Sequence, residues 1–128
     1  MSGRRRLRGL LRQAPPLDPS ALTPFQRAVA RFNASDAGRS VVRLNRILGT
    51  PSVSVGAAAG VPGQVRITVA WELSWYQWGV DLSDETRPVF ELAKGGEVEE
   101  LDAAARQWNA KVGPDGKLRL AAEPAPLR

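Results

Sequence analysis

The chain has 128 residues, 43% of them hydrophobic and 24% charged, which is the size and make-up of one folded domain. It contains neither cysteine nor histidine, so disulfides, thiolate metal sites and imidazole bases or ligands are excluded. The net charge of +5 hides an asymmetry: residues 1–46 hold ten arginines and two aspartates, a net +8, while residues 47–128 carry a net −3.

A bipolar chain of this kind can grip a polyanion with its basic end or pair with another copy of itself. No stretch approaches the roughly 20 apolar residues that cross a bilayer, and Arg8, Gly9 and Arg12 interrupt any secretory core near the start. Cytoplasmic residence is the expectation. Arginine outnumbers lysine fifteen to three, a bias that suggests a high-GC bacterial genome and carries no chemistry.

Residues 1–22 read as a disordered basic arm. Pro15, Pro16 and Pro19 oppose regular structure, and the RRRLRGLLR run is too short for a helix in isolation. Residues 23–120 form the expected domain, and residues 121–128 a loose tail. Thr23-Pro24 is a helix start, with Thr as N-cap and Pro at the first helical position. Gly49 followed by Pro51 is a stop. Between them Phe25, Val29 and Phe32 make one apolar stripe, and Ala37, Val41, Leu44 and Leu48 another. The two are out of phase by roughly 120° at about 100° per residue, so the helix is expected to kink or break near 33–36, with Ser35 as a second cap. Arg27, Arg31, Arg39, Arg43 and Arg46 fall away from the stripes. They are the candidate polyanion-binding residues, although no base-reading motif accompanies them.

Ser52–Val55 alternates as a short strand. GAAAGVPG at 56–63 is a flexible connection that lacks the spacing of a phosphate loop. The region 64–82 carries three of the four tryptophans and the single tyrosine. Val65, Ile67, Val69, Trp71, Leu73 and Trp75 are all odd-numbered, a period of two that marks a strand. After Tyr76 the phase flips to Trp78, Val80 and Leu82. A bulge near Tyr76 or Gln77 produces such a flip. A hairpin is the alternative, but turn residues are missing between Ser74 and Trp78. A straight strand of this length would span roughly 60 Å at about 3.3 Å per residue. The expectation is one long bent strand over 64–82, with Trp71 in the core and Trp75, Tyr76 and Trp78 as the candidate partner-binding residues.

Asp81, Asp84 and Glu85 read as a polar loop, since the full ligand pattern of a calcium loop is absent. Arg87–Lys94 reads as a short helix capped by Thr86, with a strand that turns Phe90 and Leu92 inward as the alternative. Val98, Leu101, Ala105, Trp108 and Val112 follow helical spacing, with Asp102 as a cap and Trp108 as a core anchor against the sheet. Lys117–Leu120 reads as a short edge strand. The resulting architecture is α+β: an N-terminal helix, a small antiparallel sheet built on the bent strand, and a C-terminal helix packed on that sheet.

Carboxylates are the candidates for acid–base work in a chain without His or Cys. Glu72, flanked by Trp71 and Leu73, is the best of them, with Asp81 as its conceivable partner. No catalytic motif, cofactor motif or metal-ligand spacing is present. The leading expectation is therefore a non-enzymatic protein-interaction module that binds a partner or itself through the aromatic strand. Nucleic-acid binding through the arginine-rich arm and helix is the second reading. A small apolar ligand held between the sheet and the C-terminal helix is the third.

Overall fold

The computed structural model describes residues 22–124. The basic arm lies outside them except for Leu22, as do residues 125–128 of the tail. Two helices, α1 (Pro24–Asn33) and α2 (Asp36–Leu48), precede six strands: β1 (Ser52–Ala57), β2 (Gln64–Trp71), β3 (Ser74–Asp81), β4 (Val89–Gly95), β5 (Ala110–Val112) and β6 (Leu118–Leu120). The strands form one antiparallel sheet in the order β4-β3-β2-β1-β5-β6. The α+β class is as expected; among the described residues there is no C-terminal helix.

The helical region breaks where the two stripes fall out of phase. The Thr23 side chain accepts from the Gln26 N–H in a reciprocal capping box, and the Ser35 side chain accepts from the Gly38 N–H to restart the chain as α2. Each helix can then turn its own stripe inward. Phe25, Ala28, Val29 and Phe32 of α1 are buried against β3 and β6, whereas α2 buries Val41 and little else. Fully burying a side chain like Phe32 contributes about 1.5–3 kcal/mol.

The stretch 64–82 is a hairpin and not one bent strand. Glu72 and Leu73 form a two-residue turn, and Trp71 pairs with Ser74. The phase change follows directly, because every odd residue of β2 stands opposite an even residue of β3: Val65 opposite Val80, Ile67 opposite Trp78, Val69 opposite Tyr76. Cross-strand partners share a face, so the parity must switch on passing the turn. The turn escapes sequence rules because neither of its residues is Gly, Asn or Asp and neither adopts positive φ. A bulge does lie at Gln77/Trp78, but in the β3–β4 ladder, where Leu92 is the extra residue on β4.

Two cores result. Val53, Val55, Val65, Ile67, Val69, Trp71, Trp78 and Val80 pack under the helices. Phe32 meets Trp78 at 5.1 Å between ring centroids, and Tyr76 stacks on Trp78 at 5.7 Å. On the opposite face Ala70 and Trp75 lie under Leu101 and Ala105, which the chain delivers as it crosses from β4 to β5. That crossover consists of two 3₁₀ turns, Val98–Glu100 and Ala103–Arg106, with the Asp102 side chain capping the second. The expected stripe is thus half realised: Val98, Leu101 and Ala105 face the sheet. Trp108 then takes a left-handed φ of 49° and is 39% exposed, which ends the helical path and releases Ala110–Val112 to pair with β1 and β6. Trp108 is not the core anchor its spacing suggested. Arg87–Lys94 is likewise no helix: Val89–Gly95 is β4, because pairing with the aromatic-rich β3 outweighs the helical preference of Glu, Leu, Ala and Lys.

Candidate interaction surface at the open sheet edge

The two edges of the sheet are finished differently, and the side chain of Asn33 accounts for much of the difference. At the β6 edge Asn33, the last residue of α1, presents its carboxamide as a short strand would. Its Oδ1 accepts from the Leu118 N–H at 2.9 Å, and its Nδ2 donates to the Leu118 carbonyl at 3.0 Å. Asn109 repeats the device inside the sheet, where its Oδ1 accepts from the Val55 N–H at 2.8 Å and its Nδ2 donates to the Val55 carbonyl at 2.9 Å. β5 meets β1 only through the Val53–Ala110 pair, so Asn109 extends that ladder with side-chain atoms. The left-handed turn at Trp108 sets Asn109 in place.

At the other edge β4 has β3 on one side and no strand on its outer side among the described residues. Phe90 and Leu92 remain 38% and 42% exposed there. The Phe90 ring lies over Gly79, where an added Cβ would come within 2.7 Å of it. Beside β4 runs a groove of about 850 Å³ between the α1–α2 junction and the β3–β4 connection. Trp78, Val89 and Phe90 line it from the sheet, Arg31, Ala37 and Arg39 from the helices, and Glu85–Pro88 from the connection. That connection is held by its own carboxylates: Asp81 accepts from the Ser83 N–H and hydroxyl, and Asp84 from the N–H groups of Thr86 and Arg87. The Ser83 hydrogen bonds hold Asp81 below the usual carboxylate range. These carboxylates cap turns, and among the described residues no cluster of three potential ligands could hold a metal.

Of the residues expected to contact a partner, two are buried and one is half-buried. Trp75 and Trp78 are each 7% exposed and lie on opposite faces of the sheet. Trp75 Nε1 donates to the Glu97 carbonyl at 2.8 Å and to Glu100 Oε1 at 3.1 Å, and the Glu97 N–H followed by this indole lowers the Glu100 pKa. Tyr76 is half-buried between Trp71 and Trp78. Of the three, Trp78 alone reaches the groove.

Of the five arginines, Arg31 and Arg39 line the groove, and Arg39, Arg43 and Arg46 follow one another along α2. Arg27 donates to the Leu22 carbonyl, Arg31 to the Leu82 carbonyl, and Arg39 pairs with Asp36. Arg43 and Arg46 stand exposed further along α2. Glu72 is exposed in the β2–β3 turn, and Asp81 sits at the far end of the same hairpin, roughly 25 Å away at about 3.3 Å per residue. The two cannot act as a catalytic pair. The helix that the third expected site required is absent among the described residues, and Leu101 and Ala105 pack on that face of the sheet. No helix among the described residues is long and apolar enough to cross a membrane.

The chain matches no protein family, no curated protein and no solved structure.

Proposed function

We propose that the chain is a protein-interaction module that receives an extended segment of a partner protein along β4. The observation that carries this reading is the unequal treatment of the sheet's edges. An open edge offers a row of unpaired N–H and C=O groups and invites strand addition. At β6 that invitation is withdrawn by Asn33 and α1; at β4 it stands, next to a groove of a size that accepts side chains. Added strands gain affinity from main-chain hydrogen bonds and specificity from pockets for alternate side chains. The bulge at Leu92 limits regular pairing to the part of β4 before it, which is the part the groove flanks. The aromatic hairpin serves this function as scaffold: Trp78 stiffens the groove from beneath.

The test is selection of binders from a random displayed-peptide library, followed by amide hydrogen exchange of the complex. Strand addition slows exchange at Val89–Glu91 and shifts the resonances of Arg31 and Ala37. Peptides that bind while leaving β4 exchange unchanged, or a library that yields no binder, would overturn the reading.

A further inference from the structure

We propose that the end of the sheet bearing the β2–β3 turn is an interface between two copies of this chain. Large apolar side chains are left in water there. Leu73 at the turn is 81% exposed, and Ile47 and Leu48 at the end of α2 are 76% and 48% exposed. They belong to one region because Trp71 Nε1 donates to the Gly49 carbonyl at 2.8 Å, tying the end of α2 to the strand that enters the turn.

The charges around this region decide the occupant. On the helix side Arg43, Arg46 and Ile47 share one side of α2 by their i, i+3 and i+4 spacing, and both arginines are exposed. On the other face of the sheet the crossover lies against the turn: a Cβ on Gly96 would stand 3.8 Å from the Leu73 carbonyl oxygen, and Trp75 holds Glu97 by its carbonyl. This flank is acidic, with Glu72, Glu97 and Glu99 all exposed. The patch therefore runs from basic through apolar to acidic. A twofold axis sets identical patches against each other in reverse, so the basic flank of one copy meets the acidic flank of its partner while the leucines and Ile47 meet at the centre. A patch of a single sign would repel its own copy. Main-chain pairing at β4 is not involved, and this interface stands or falls independently of the groove.

The experiment is sedimentation velocity on the full chain over a concentration series, with a charge swap. The native chain sediments as a dimer that dissociates as salt rises from low to roughly 0.5 M, where exposed charges are screened within a few ångströms. Leu73→Asp weakens association on the order of 10–100-fold, the range for removing a central apolar anchor. The double variant Arg43→Glu/Arg46→Glu and the double variant Glu72→Arg/Glu99→Arg each sediment as monomers, and an equimolar mixture of the two regains the dimer. All of these positions are exposed, and the unchanged tryptophan emission of each variant verifies its fold. A native chain that is monomeric at all concentrations overturns the proposal. So does a mixture that fails to re-associate, or a DNA mobility shift by the native monomer that the Arg43→Glu/Arg46→Glu variant loses, since the arginines then serve another occupant.

Discussion

Replacing Asn33 tests whether a side chain closes the β6 edge. Asn33→Ala deletes two hydrogen bonds, at 2.9 and 3.0 Å, and strips Leu118 of both main-chain partners. At about 0.5–1.5 kcal/mol for each bond the loss is about 1–3 kcal/mol. Alanine returns about 0.5 kcal/mol in helix propensity at the end of α1. The net expectation is destabilisation of about 1.5 kcal/mol. With a urea slope of about 1–3 kcal/mol per molar for a domain of this size, the unfolding midpoint falls by about 0.5–1.5 M. Tryptophan fluorescence reports the transition, because Trp71, Trp75 and Trp78 are all buried. Asn33→Asp supplies the sign control. The introduced carboxylate still accepts from the Leu118 N–H, but it now confronts the Leu118 carbonyl without a proton to donate. Its folded pKa is therefore raised above the unfolded value. The deficit is full above that folded pKa and shrinks as pH falls through it, when the protonated acid can donate again. A midpoint for Asn33→Ala within 0.1 M of the native one, or an Asn33→Asp deficit that stays flat from pH 7 to about 4, would refute the account of the edge.

Gly38→Ala should destabilise, against the usual gain of about 1 kcal/mol for that change inside a helix: the new Cβ would lie 2.2 Å from the Phe32 carbonyl oxygen and 2.9 Å from Asn33 Cα, and a thermal melt below that of the native protein is the expected outcome. Asp102 is held below its usual pKa first by the Arg66 guanidinium, which forks onto both its oxygens at 2.9 and 3.2 Å, and then by the Ala105 N–H. A depressed carboxylate contributes stability that is present above its unfolded pKa and is lost as pH falls through the folded one. Asp102→Asn should therefore flatten the acid limb of the stability curve; equal acid limbs for variant and native protein would remove the ion pair from the account.

Much of the fold can be read from residue order where local chemistry decides it. Thr23, Ser35 and Gly49 set the helix ends because caps act within three or four residues. Val65–Trp71 alternates because the face under the helices takes the large apolar side chains while the other takes Arg66, Thr68 and Ala70. The failures share a different cause: each depends on which segments pair, and residue order alone does not display that. The parity switch after Tyr76 comes from opposite-strand pairing and looks the same on paper as a bulge. Val98, Leu101 and Ala105 keep helical spacing through two 3₁₀ turns, and it takes the left-handed backbone at Trp108 and the reach of Asn109 to Val55 to make the next residues a strand. The candidate surface was obscured in the same way. By composition the tryptophans read as contact residues, whereas Trp71, Trp75 and Trp78 are buried because both faces of the sheet are covered. The open edge becomes visible only once Asn33 is seen to occupy the other one, and no local pattern marks a carboxamide that pairs with Leu118, 85 positions away.

The two-residue turn at Glu72-Leu73 acts as a counter for everything downstream of it. One residue more or fewer there would rotate β3 by half a pleat, sending Trp75 toward α1 and exchanging Tyr76 and Trp78 for it beneath Leu101. Lineages of this protein should therefore vary freely in the length of the 58–63 connection and scarcely at all between Trp71 and Ser74.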